Sequence, residues 1–146
     1  MRNIKTVWID TNIIIYFLRT NKTFTPKVKA LVEEAKKGNI HLKVSPLVIN
    51  ECVFVLMGKN FNVNKEKVKT ALISFINLPG VITEEKNVIE EALNNYAKKG
   101  IDFTDAYIAA HARSVTPAHI ITENIKDFKG LNVLAEITPE IVKEDK

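Results

Sequence analysis

The chain has a single cysteine, Cys52, which excludes an internal disulfide and suits a reducing compartment. Its apolar neighbours Val53 and Phe54 favour a buried structural thiol over a nucleophile. Glycine is scarce: its five residues are isolated, so no Gly-rich phosphate loop is present. No serine sits in a nucleophile-elbow context. Wholly apolar runs such as Ile13 to Leu18 are far too short to span a bilayer, and no membrane association is expected. After Met1-Arg2-Asn3-Ile4-Lys5 neither an apolar stretch nor a small-residue cleavage site follows. No signal peptide is therefore expected, and a cytoplasmic location is. The three histidines, His41, His111 and His119, lie on different predicted elements and show no metal-ligand spacing. Aromatic residues are not interleaved with the lysine tracks, so no stacking platform for single strands is expected.

What is present describes a globular domain. A length of 146 residues suits one domain with a proper core, and 46% hydrophobic residues exclude a disordered chain. Net charge is +4 and the isoelectric point about 9.1, compatible with a polyanionic partner. The basic residues are mostly lysines in small groups, such as Lys36/Lys37, Lys65/Lys67/Lys69 and Lys98/Lys99. Solvated helix faces explain any one of these groups better than a binding surface does.

Hydrophobic periodicity alternates strand and helix. Ile4 to Ile9 reads as a buried strand, and Asp10-Thr11-Asn12 opens a helix through about Leu18. A second helix is predicted from near Pro26 to Lys37, stopped by Gly38, and a strand over Ile40 to Val44. Ser45-Pro46 caps an apolar helix closed by Gly58. Helices over Asn64 to Asn77, Asn87 to Lys99 and Thr104 to Arg113 follow, with Val81-Ile82 as a minimal strand. His119 to Thr122 and Asn132 to Leu134 are the last strands, and a polar tail begins at Pro139. The expected class is α/β: a mostly parallel central sheet of four or five strands covered by helices on both faces, in one domain over residues 1–138. In such sheets ligands bind beyond the carboxyl ends of the strands, where Asp10 and Thr122-Glu123-Asn124 fall.

Three acids stand out. Glu51 lies mid-helix within Pro46 to Met57, with Leu47, Val48, Phe54 and Val55 one turn away, so it is expected on a core-facing surface. Asp10 ends the first apolar strand, and Asp105 shares a helical face with Ile108, Ala109 and Ala112. Buried carboxylates need neutralisation, pairing or a metal, so three of them converging would form a cation site. Each has a plainer alternative. Asp10 suits a helix N-cap, and Asp102 suits one better than it suits a ligand. Of the five aspartates, Asp10, Asp102, Asp105 and Asp127 all fall near strand ends or helix starts, while ordinary helix faces use Glu. Short carboxylates there suit oxygen ligation of Mg²⁺ or Mn²⁺, and they suit caps too. An aspartyl-phosphate enzyme is disfavoured because Asn12 stands where a second Asp is usual.

These segments resemble the motifs of PIN-domain proteins, and most closely those of VapC-type toxins. Val7-Trp8-Ile9-Asp10-Thr11-Asn12 is similar to the first motif and Ser45-Pro46-Leu47-Val48-Ile49-Asn50-Glu51 to the second. Asp102-Phe103-Thr104-Asp105-Ala106-Tyr107-Ile108-Ala109-Ala110 is similar to the third, and Ile121 to Phe128 to the fourth. The resemblance spans residues 4 to about 134, with all four motifs in order. It implies a three-layer fold, homodimers, and cleavage of RNA dependent on Mg²⁺ or Mn²⁺. Asp10, Glu51 and Asp105 would be the catalytic, metal-holding acids. Asn124 departs from the pattern, standing where many members carry Asp; Asp127 and Asp102 are the auxiliary acids nearby. Thr11, Asn12, Thr122 and Asn124 are candidates for orienting ligands or contacting phosphate. A toxin with a cognate antitoxin partner is favoured over an RNA-processing nuclease by size. The competing class is a PIN-like module that binds RNA or protein without cutting.

Overall fold

The computed structural model describes residues 4–115 and 118–136. The predicted polar tail at 139–146 lies outside the described residues. Contacts divide the chain into two compact units, Met1–Lys86 and Asn87–Lys146.

The first unit is built from β1 (Lys5–Trp8), α1 (Thr11–Leu18), α2 (Thr25–Lys36), β2 (Ile40–Val44), α3 (Pro46–Met57), α4 (Lys65–Ile76) and β3 (Val81–Thr83). The strands pair in parallel in the order β1-β2-β3, with helix pairs α1–α2 and α3–α4 as the crossovers that parallel pairing requires. The register sets Trp8 opposite Lys43 and Val44 opposite Thr83. Local chemistry explains the boundaries. The Ser45 hydroxyl accepts from Val48 N–H and the Asn64 side chain from Lys67 N–H, each capping its helix. Gly38 ends α2 in the left-handed region at φ +81°. Gly80, at φ +85°, is constrained more tightly, since a Cβ there would lie 2.3 Å from the Ala35 carbonyl oxygen. Only glycine fits.

The core of this unit joins Leu42 and Val44 of β2 to Ile49 and Leu56 of α3 and to Val68, Leu72, Phe75 and Ile76 of α4, all but fully buried. Phe17 of α1 meets Phe75 edge-on at 5.4 Å. The expectation of a buried first strand is not met: Lys5, Thr6 and Trp8 are exposed, Trp8 by 62%, and Val7 is half-buried. Within its sheet β1 is an end strand, paired along one edge. Apolar, β-branched composition selects extended backbone and does not fix how many layers cover it.

The second unit carries α5 (Lys86–Lys99, whose first residue belongs to the first unit), α6 (Phe103–Val115), β4 (His119–Ile121), α7 (Ile125–Phe128) and β5 (Leu134–Glu136). β4 and β5 pair in parallel. Ala109, Ile120, Phe128 and Leu131 form its small core. Tyr96 and Phe103 pack edge-on at 6.4 Å. The final strand lies two residues beyond its predicted start, because Asn132 turns at φ +58° and cannot continue extended backbone. The four-residue α7 is too short for periodicity to reveal. The class is thus mixed α/β with parallel strands, as expected, and the described strands pair as three and two. Among the described residues no helix is long and apolar enough to cross a membrane.

Candidate metal centre

β1 and β2 run side by side, so the segments leaving their carboxyl ends start as neighbours. Asp10 and Thr11 follow β1, and Ser45 opens α3 after β2. α1 packs on α3. Thr11, 4% exposed, sits at this junction and clips two carboxylates with its two donors. Its backbone N–H donates to Asp10 Oδ1 at 2.7 Å, and its hydroxyl donates to Glu51 Oε2 at 2.8 Å. Asp10 is therefore the N-cap of α1, as the plainer reading held, and at the same time a partner in an acid pair.

Glu51 corrects one expectation. It is exposed, and so are its helical neighbours Leu47 (79%) and Phe54 (65%). α3 buries Ile49, Cys52, Val53 and Leu56 instead. Because this helix is apolar nearly all round, helical spacing alone does not reveal which face the sheet takes. The carboxylate is held in place by Thr11 rather than by burial.

The donor chemistry fits a hard divalent cation. Thr11 occupies one oxygen of each carboxylate, leaving Asp10 Oδ2 and Glu51 Oε1 as charged oxygen donors of the kind Mg²⁺ and Mn²⁺ prefer. Among the described residues of the first unit, no basic side chain forms an ion pair with either acid. Their negative field reaches Cys52 next door. Burial first, then the charges of Glu51 and Asp10, push its thiol up to about 12. Cys52 is thus the inert, fully buried thiol expected from its neighbours.

The second unit gathers a separate set of acids. Asp105 is half-buried in the first turn of α6. Burial, then the negative charges of Asp127 and Asp102, raise its pKa above the ordinary carboxylate range. The Asp102 carbonyl accepts from Ala106 N–H at 3.0 Å as α6 begins. Asp127 lies in the first turn of α7. The Thr122 hydroxyl accepts from Asn124 N–H at 2.9 Å, shaping the turn into α7, and the Asn124 side chain makes no capping bond. Asn12 lies on the first turn of α1, exposed. Among the described residues, neither unit by itself gathers three His, Cys, Asp or Glu side chains in metal-binding geometry.

Two features escaped the sequence. Lysines do meet aromatic rings: Lys43 Nζ lies 4.7 Å from the Trp8 ring centroid, and Lys27 Nζ lies 6.0 Å from that of Phe24. The first pair follows from the β1–β2 register and the second from one turn of α2, so no linear interleaving was needed.

The family model for the PIN domain matches residues 7–131 of the chain. No curated protein matches it.

Proposed function

The chain belongs to the PIN-domain family, whose members are generally nucleases, and from that premise we propose that it is a divalent-metal-dependent endoribonuclease. We read it further as the cytoplasmic toxin of a type II toxin–antitoxin pair, acting as a homodimer through residues 1–138. The observation that carries the nuclease reading is the Thr11 clip, which ties Asp10 and Glu51 to one residue while, among the described residues of the first unit, no basic side chain forms an ion pair with either. Carboxylates gathered on one residue without a basic partner are oxygen donors of the kind a hard divalent cation takes.

Asp10, Glu51 and Asp105 are the proposed ligands, the last assigned by its motif. Mg²⁺ or Mn²⁺ held there would supply an activated water and charge relief at the phosphoryl oxygens. The protein's own groups do the rest. Thr11 fixes the rotamer of Glu51 so that ligand geometry is set before the ion binds. Asp102 and Asp127 add negative charge around Asp105. Thr122 and Asn124 are proposed to contact phosphate or orient ligands, and lysines supply sequence-independent affinity for the RNA backbone. Exposed Leu47 and Phe54 on α3 support a protein partner, antitoxin or second copy, because apolar patches of this kind mark interaction surfaces.

The test is cleavage of single-stranded RNA by purified protein. Mg²⁺ or Mn²⁺ should be required, EDTA should abolish cleavage, and Asp10→Asn should remove it. Added salt should weaken it through displaced lysine–phosphate contacts. Cleavage that resists EDTA and survives Asp10→Asn sinks the reading in favour of a binding module. Expression of the wild type, and not of Asp10→Asn, should arrest bacterial growth if the protein is a toxin.

A further inference from the structure

A cavity of about 420 Å³ opens between α1 and α2, lined by Asn12, Ile13, Tyr16, Phe24, Lys27 and Val28 among others. Its size falls within the range of about 300–1,000 Å³ usual for small-molecule sites. Tyr16 and Phe24 stack in one wall, with centroids 5.0 Å apart and planes 17° from parallel, and Lys27 stands over Phe24. Asn12 is the uncharged carboxamide among the lining residues.

The stacked rings are not needed to hold the turn they flank. Asn21 Oδ1 accepts from Thr23 N–H and Phe24 N–H, both at 3.0 Å. The Thr25 hydroxyl accepts from Asn21 N–H at 2.7 Å and donates to the Tyr16 carbonyl at 2.6 Å. These four bonds already fix the α1–α2 connection, and Thr25 is buried. Phe24 nonetheless remains 43% exposed, a large apolar ring left at the surface on a rigid turn. A ring presented this way costs little entropy to use in binding.

Position ties the cavity to the acids. Asn12 follows Thr11, whose backbone and hydroxyl hold Asp10 and Glu51. Tyr16 lies one helical turn further along α1, about 6 Å by helix rise. Asn12 thus links the two features, following the residue that holds the carboxylates and lining the cavity that carries the rings.

We propose that the α1–α2 cavity is a nucleobase subsite, seating one unstacked base of single-stranded RNA beside the scissile phosphate. The aromatic wall supplies a stacking face, Lys27 neutralises an adjacent phosphate, and Asn12 reads the base edge. Each matches how unpaired RNA is held: bases splay onto aromatic rings while cations track the backbone. The proposal rests on the nuclease reading for its placement beside the scissile bond, and its test separates the two.

The full-length Asp10→Asn protein is titrated, by fluorescence anisotropy, with a labelled short oligoadenylate and with an abasic ribose-phosphate chain of equal length. Oligoadenylate should bind roughly tenfold tighter, the order expected of one stacked base. Phe24→Leu should remove most of that difference while leaving affinity for the abasic chain unchanged. Asn12→Ser, a surface change that keeps the fold if Phe24→Leu does not, should alter the preference among oligoadenylate, oligouridylate and oligocytidylate. Equal losses for both chains in Phe24→Leu, or a base preference that persists in it and in Asn12→Ser, overturns the proposal. A changed molecular mass in light scattering with unchanged RNA affinity overturns it too, and makes the cavity a protein-docking face. Metal-dependent cleavage by the wild type without base preference removes the subsite alone. Base-dependent binding without cleavage keeps the subsite and removes the nuclease reading. Neither binding nor cleavage removes both.

Discussion

The Thr11 hydroxyl donates to Glu51 Oε2 at 2.8 Å although 40 positions of chain separate the two residues. Thr11 is buried and Glu51 exposed, so an immobile donor holds one oxygen of an otherwise hydrated carboxylate. The same residue's N–H holds Asp10. Pre-setting two carboxylates in this way would lower the ordering cost of holding the proposed cation.

Thr11→Val keeps the shape of the side chain and removes the hydroxyl. A hydrogen bond to a charged acceptor contributes about 1.5–3 kcal/mol, and here the lower end applies because water can replace it at exposed Glu51. Mn²⁺ affinity, read by titration calorimetry, should fall about tenfold, while Thr11→Ser should stay near wild type. Equal affinity in all three proteins contradicts a positioning role for Thr11.

Asp105 is held above its ordinary pKa by burial and by Asp127 and Asp102. A carboxyl whose folded pKa is raised binds its proton more tightly when folded, so its ionisation destabilises the fold. Stability from this group is therefore lost as pH rises from the unfolded pKa through the higher folded one, and stays lost at neutral pH. In metal-free protein, Asp105→Asn should raise the melting temperature at pH 7 and change it little well below the unfolded pKa. A lower melting temperature at pH 7 contradicts this assignment of causes.

Asn124 opens α7, and Asp127 in its first turn acts on Asp105 through its charge. Asp127→Asn should weaken Mn²⁺ binding more than Asn124→Ala does. The reverse order would make Asn124 the ligand and Asp127 a surface charge.

Among the glycines of the first unit, Gly80 has the least room for a side chain. Alanine there combines a left-handed conformation with a Cβ placed 2.3 Å from the Ala35 carbonyl oxygen. Strain and overpacking together should cost about 2–5 kcal/mol, seen as a lowered urea midpoint. Gly38→Ala, where a Cβ meets nothing within 4 Å, should cost only the left-handed share, about 1 kcal/mol.

Much of the architecture was legible because it is written locally. Ser45 and Asn64 cap helices through bonds that span three residues, Gly38 stops α2, and the run Ile40–Val44 forms β2 as predicted. The candidate acids were legible as well, since a lone Glu amid Leu, Val and Phe, or an Asp closing an apolar strand, contrasts with its immediate neighbours. Tertiary structure decided everything that depends on which surfaces dock. α3 is apolar nearly all round, and only packing chose Ile49, Cys52, Val53 and Leu56 for the interior, leaving Glu51 outside with Leu47 and Phe54. The clip from Thr11 to Glu51, the lysine over Trp8 and the Tyr16–Phe24 stack likewise arise from strand register and helix contact. Local sequence sets backbone conformation through caps and turns a few residues long, whereas docking is a competition among many near-equal apolar faces that only the assembled fold resolves.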